Sequence, residues 1–283
     1  MADVKQVRVA ILDLYEGHVN QGMRCIREIL NLFADHYHLQ LTWDEFDVRR
    51  KNEVPDLSYD VFISSGGPGS PLESEGMEWE NTFFNWISQV KMWNENPLQE
   101  QKKHVFFICH SFQMACHHFG LATLNKRKST SFGVMTIHKT EAGTYDPILE
   151  GLQSPFYAID SRDFQVVQPK LSIFKKKGAQ IIALEKIRNH VEYERAIMGV
   201  RFSDEFVGLQ FHPEADALSF IANLKSKERR ENIIAMKGKT KFRDMLEDLL
   251  DEDKIYKTNE TIIPNFLRIA INDLMKHKKI LSN

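Results

Sequence analysis

A chain of 283 residues with 42% hydrophobic and 27% charged residues can bury a sizeable core, exceeds the usual size of one compact domain, and does not have the composition of a disordered or fibrous protein. Thirty-seven basic against 39 acidic residues leave a formal charge of -2, which excludes a global pull toward nucleic acid or anionic lipid. No apolar run reaches the roughly 18 residues of a membrane span, and residues 1–5 lack the basic-then-apolar layout of a secretory leader. Three cysteines, Cys25, Cys109 and Cys116, are too few and odd in number for a disulfide framework, so free thiols in a cytoplasmic protein are expected.

Residues 7–14 read as a buried strand, and 19–33 carry Met23, Ile26, Leu30 and Phe33 at helical spacing. Residues 39–43 and 59–64 are the next strands, the latter stopped by Gly66-Gly67-Pro68-Gly69, and a helix of about 20 residues follows through Phe83, Phe84, Trp86, Ile87 and Val90. The continuous apolar run 104–108 predicts a central strand covered on both faces, ended by Cys109, and 112–119 a helix. Alternation of strand and helix from 7 to about 121 argues for a mostly parallel sheet with helices on both faces.

From 131 to 210 the texture changes to short strands at 132–138, 156–159, 164–167, 180–184, 195–202 and 206–210, placed as an antiparallel edge. Beyond about 223, basic stretches at 225–230 and 237–243 and an acidic one at 244–253 indicate a helical extension. Its last helix is placed at 264–276, with Pro264 in the first turn and an apolar stripe through Phe266, Leu267, Ala270, Ile271 and Leu274.

A cysteine at the end of a buried parallel strand and directly before a helix stands where open α/β sheets bind ligands and where a helix N-terminus favours a thiolate. Cys109 has this placement. The segment Gly208-Leu209-Gln210-Phe211-His212-Pro213-Glu214 supplies a base and, two residues on, a carboxylate able to orient it, the logic of a nucleophile, histidine and acid triad. A glycine-rich turn after a neighbouring strand can present backbone N–H groups to a developing oxyanion, with the N–H of His110 as second donor. The histidines around Cys109 (His104, His110, His117, His118) and Cys116 lack the paired short spacings of a zinc site, so no metal is expected.

Ser65-Gly66-Gly67-Pro68-Gly69-Ser70, Ile108-Cys109-His110-Ser111-Phe112-Gln113 and His212-Pro213-Glu214 together resemble, in order and spacing, class I glutamine amidotransferases, in particular the glutaminase domain of GMP synthases. The resemblance spans about residues 7–220. It implies a flavodoxin-like open α/β sheet for residues 1–222, with 223–283 as a helical extension packed on that domain. It implies Cys109, His212 and Glu214 as catalytic residues, Gly67 and His110 as the oxyanion hole, and Gly66 and Gln113 at the substrate. The implied reaction converts the side-chain amide of glutamine through a glutamyl thioester to glutamate and ammonia, with no cofactor. Nothing in the chain resembles a synthetase domain, so a separate synthase subunit would receive the ammonia; no nucleic-acid or membrane partner is implied.

Two departures bear on substrate. Phe107 and Ser111 stand where the family's elbow carries glycines, so a tilted nucleophile or narrowed glutamine pocket is expected, and Ile159-Asp160-Ser161-Arg162-Asp163-Phe164 replaces a histidine-glycine pair. They leave open hydrolysis of another γ-glutamyl amide or peptide, and an inactive scaffold with an unreactive Cys109.

Overall fold

The computed structural model describes residues 6–187, 194–225 and 227–280. The first five residues, read above for a leader, and the side chains of 226–229 in the basic stretch lie outside that description. In chain order the elements begin with β1 (Gln6–Asp13), α1 (Gly22–Tyr37), β2 (Gln40–Asp47), α2 (Val48–Lys51) and β3 (Val61–Ser64). They continue with α3 (Glu78–Glu95), β4 (His104–Ile108), α4 (His110–His118), β5 (Thr123–Lys139), α5 (Glu141–Tyr145), β6 (Phe156–Val167), α6 (Leu171–Lys177) and β7 (Gln180–Glu185). They end with β8 (Ile197–Arg201), β9 (Phe206–Leu209), α7 (Ala217–Lys225), α8 (Lys227–Lys237), α9 (Lys239–Leu250) and α10 (Ile255–Ile280).

One nine-stranded sheet runs in the order β2-β1-β3-β4-β9-β8-β7-β5-β6. β2 to β9 in that row are parallel, with Phe106 opposite Ile63 and Val207, and β8, β7, β5 and β6 close the edge antiparallel. The fold is thus a mostly parallel open α/β sheet with helices on both faces. Alternation along each strand divides the core into two layers. Val9, Ile11, Ile63, Phe106 and Ile108 face α1 and α10, whereas Ala10, Leu12, Phe62, Val105 and Phe107 face α3, α4 and α6.

Several elements differ from the sequence reading, among them β5, which starts at Thr123 and not at 132. The first helix begins at Gly22, not at 19, and Val19 is fully exposed in the preceding loop. The two strands expected at 156–159 and 164–167 are one, β6, because Asp160 and Arg162 pair with each other inside the sheet and so do not interrupt it. The last helix is 26 residues long and holds Pro264 in its interior. A proline there removes one helical hydrogen bond and normally breaks the helix. Buried Ile262 and Ile263 before it, with Phe266 and Leu267 after it, hold both turns to the sheet, at about 2 kcal/mol for each fully buried side chain.

α10 therefore belongs to the main core, with the Phe266 ring 5.0 Å from that of Phe106. Helices α7 to α9 build a smaller core with Ile159, in which Met245 lies over Gly133. Among the described residues no helix is long and apolar enough to cross a membrane.

Candidate active site

Parallel strands β3, β4 and β9 deliver three segments to the same end of the sheet: the glycine-rich turn, Cys109 and the loop with His212. They meet at a cavity of about 530 Å3 whose walls include Tyr15, Gly67, Cys109, His110, Gln113, Phe164, His212 and Glu214. Cys109 is held at φ 49, ψ -98, a strained conformation for a residue with a Cβ. Its N–H donates to Leu209 O at 2.8 Å and its carbonyl accepts from Gln113 N–H at 3.0 Å, so strand and helix both tie the turn. Gln210, 3.7 Å away through Nε2, donates to the sulfur.

His212 is placed by its own N–H, which donates to Ile159 O of β6 at 2.8 Å. Its Nδ1 lies 2.8 Å from Glu214 Oε1, and the imidazole lines the same cavity as Cys109. Burial disfavours a charged ring, but the Glu214 carboxylate and the Cys109 sulfur outweigh it and hold the His212 pKa well above its usual value. Glu214 is buried, its Oε2 has no partner among the described residues, and its carbonyl accepts from Asn259 of α10 at 2.8 Å. Cys109, His212 and Glu214 thus meet at one cavity, an arrangement of thiol, imidazole and carboxylate able to form and break an acyl–sulfur bond.

The two glycines of the turn differ in their surroundings. Gly67 lines the cavity, and a Cβ there would stand 2.4 Å from the carbonyl oxygen of Leu14, so the close approach to β1 admits glycine alone. Gly66 is not among the lining residues: it lies behind the imidazole, where a Cβ would be 2.9 Å from His212 Cε1. Gly66 thus stands directly against His212, with Tyr15 and Cys109 also close to its Cβ position. His110 is buried; its ring packs near Trp79, and its pKa is pushed down to about 3 by burial and by the Arg49 guanidinium. Its N–H is the first of α4, where no helical carbonyl precedes it. Gln113 donates through Nε2 to Phe164 O and Gln210 Oε1 at 3.3 and 3.1 Å, which leaves its buried Oε1 without a partner among the described residues.

Neither departure in the elbow acts as expected. The positive φ falls on Cys109 itself, and neither Phe107 nor Ser111 has one. Ser111 points beneath the strand, accepting from Ile108 N–H at 2.8 Å and donating to Ser64 O at 2.9 Å, and it does not line the cavity. The Phe107 ring lies on the far face of the sheet against Phe202 and Phe206. The altered segment does reach the cavity: Ser161, Arg162 and Asp163 line it, with Arg162 bound to Asp160 at 2.9 Å and Asp160 accepting from Ser131 Oγ at 2.6 Å.

Several residues here carry no motif in the sequence. Tyr15 stands beside Gly22 and Gly66, and its pKa is raised far above normal by burial and then by Glu214 and Cys109. Arg49 donates to Pro68 O at 2.7 Å and stacks 4.9 Å over Trp79, fastening the glycine-rich turn. Ser219 and Phe220 of α7 form the outer wall. Only the register of the folded sheet brings them to the site. Among the described residues no group of three or more His, Cys, Asp or Glu side chains is placed to hold a metal ion.

Solved structures share this fold. A glutamine amidotransferase from Thermotoga maritima is 18% identical over 93% of this chain and 98% of that chain, with a TM-score of 0.63. A glutamine amido transferase from Methylobacillus flagellatus is 15% identical over 96% of each chain, with a TM-score of 0.61. The glutaminase domain of Trypanosoma brucei CTPS with bound acivicin is 13% identical over 74% of this chain and 86% of that chain, with a TM-score of 0.55. No curated protein matches. Residues 12–222 match the sequence model of class-I glutamine amidotransferases, and with that match over most of its length the chain belongs to the class-I glutamine amidotransferase family.

Proposed function

We propose that the chain hydrolyses the side-chain amide of glutamine, with Cys109, His212 and Glu214 as catalytic residues. The observation that carries this reading is the strained Cys109 facing the His212–Glu214 pair in one cavity. The Cys109 sulfur attacks the amide carbon, and the N–H groups of Gly67 and His110 receive the oxyanion. His212 donates its proton to the departing nitrogen, releasing ammonia and leaving a glutamyl thioester on Cys109. Deprotonated, His212 then takes a proton from water, whose oxygen attacks the thioester to give glutamate and regenerate the thiol. Gln113 Oε1, left without a partner, accepts a hydrogen bond from the bound substrate.

Residues 1–222 form the amide-hydrolysing unit in this reading, and 223–283 a helical extension packed on it, with Asn259 of α10 donating to the Glu214 carbonyl. The ammonia passes to a separate synthase subunit in the cytoplasm, and no cofactor takes part. A second reading is favoured by the cavity itself. Phe132, Phe164 and Phe220 add an apolar lining to its volume of about 530 Å3, which suits a γ-glutamyl amide with an apolar substituent on nitrogen.

The test is glutamate release from glutamine by the native chain, Cys109→Ala and His212→Ala at neutral pH. Release that both substitutions abolish supports the first reading. Release from γ-glutamyl anilides but not from glutamine supports the second, and a Cys109 that neither substrate nor iodoacetamide modifies refutes both.

A further inference from the structure

At the opposite end of the sheet from Cys109, around the start of β9, lies a second cavity of about 570 Å3 that amide hydrolysis does not use. Its floor is aromatic. The Phe202 and Phe206 rings lie 5.4 and 6.5 Å from that of Phe119, with buried Leu121 and Ala179 between the walls. Its rim is charged, with Lys91, Lys176 and Lys177 facing Glu95 and Glu205, a net single positive charge. Lys91 and Glu95 pair with each other. Lys176 has no partner among the described residues, and Lys177 leans over the Phe119 ring at 5.6 Å. Lysines suit the C-terminal end of α6 on electrostatic grounds alone, but that preference does not place an apolar cavity beneath them.

We propose that this cavity binds a small amphipathic carboxylate, with an aromatic or branched apolar body on the phenylalanine floor and its single negative charge between Lys176 and Lys177. Concave apolar sites with a few convergent polar groups are where small ligands bind, and Lys176 and Lys177 stand at the floor's edge without an ion-pair partner among the described residues. Glu205, which accepts from the Ser203 hydroxyl at 2.9 Å, lies on the same rim and opposes a dianion, so a carboxylate is accepted in preference to a phosphate. The floor also touches the nucleophile strand. Phe202 and Phe206 pack on Phe107 at 5.9 and 6.0 Å, two residues before Cys109. A Cβ on Gly208 would meet Phe112, Phe107 and Phe202 within 3.2 Å, so this packing has no slack. The proposal does not rest on the glutaminase reading.

Calorimetric titration of the full chain near neutral pH with 4-phenylbutyrate, the neutral 4-phenylbutan-1-ol and phenyl phosphate tests it. The carboxylate is expected to bind at least fivefold more tightly than the other two. The double variant Lys176→Ala/Lys177→Ala, at two exposed positions, is expected to weaken the carboxylate about five- to tenfold and leave the alcohol unchanged. Lys176→Arg/Lys177→Arg restores the native affinity. Alcohol or phosphate binding as tightly as the carboxylate, an alanine variant with unaltered affinity, or no heat from the carboxylate overturns the proposal.

Discussion

Gly66→Ala isolates the positioning of His212 from the stability of the fold. The added Cβ would stand 2.9 Å from His212 Cε1, 3.3 Å from Tyr15 Oη and 3.5 Å from Cys109 Cβ. Ordinary contact begins near 3.4 Å, so the imidazole must withdraw by about half an ångström. It cannot pivot freely, because Nδ1 is held by Glu214 and the main-chain N–H by Ile159 O. A misplacement of about 1 Å costs on the order of 100-fold in rate, so half that is expected to cost about tenfold. Gly66 has no left-handed φ, so alanine adds no backbone strain and the unfolding free energy should stay within about 1 kcal/mol of native. Gly67→Ala is the contrasting control: its Cβ meets the Leu14 carbonyl, which is backbone and cannot yield, and the loss should appear as stability. Steady-state glutamate release and urea unfolding of both variants make the comparison. A Gly66→Ala variant within twofold of native activity, or one whose loss is matched by unfolding, refutes a positioning role of Gly66 toward the proposed base His212.

The strain at Cys109 predicts that Cys109→Gly is inactive yet more stable than Cys109→Ala by about 1 kcal/mol in chemical unfolding, since glycine alone adopts φ 49 without a Cβ penalty; equal stabilities contradict it. His110 carries a pH signature. Its pKa in the fold is about 3 and near 6.5 when unfolded, so below pH 6.5 the unfolded chain binds a proton the folded one does not. Its share of stability is therefore whole above that pH and falls by about 1.4 kcal/mol per unit until pH approaches 3. His110→Gln should lower the slope of unfolding free energy against pH by that amount between about pH 6 and 4, and unchanged slopes would sink the idea.

The sheet and the three segments that meet at the cavity were readable from sequence because each leaves a local mark. The apolar run 104–108, the glycine-rich turn and the His-Pro-Glu step are short patterns set by the elements that carry them. What escaped is non-local. Asp160 and Arg162 look like loop residues until their mutual pairing inside β6 is seen, and Pro264 looks like a helix start until burial on both sides is known. The surroundings of Gly66 escaped as well, because a glycine admits two explanations, access for a ligand or room for a neighbour, and the imidazole of His212 beside it is set only by the fold. Ser111 was expected to disturb the elbow because the family carries glycine there, yet its hydroxyl finds two backbone partners below the strand.

Helix α10 has a bearing on how the molecule comes to exist on the ribosome. His104, at the foot of the strand that aims Cys109, reaches Asp273 at 3.1 Å across 169 positions of sequence, and Phe106 in that strand lies under Phe266. The part of this sheet face that α1 does not cover thus waits for α10, whose residues follow those of β4 by about 150 positions. Until then the apolar rows of β3 and β4 are an exposed surface of the kind that aggregates or recruits chaperones. The nascent chain should gain protease resistance in one late step, when α10 has cleared the exit tunnel, although every residue of the candidate triad has emerged well before.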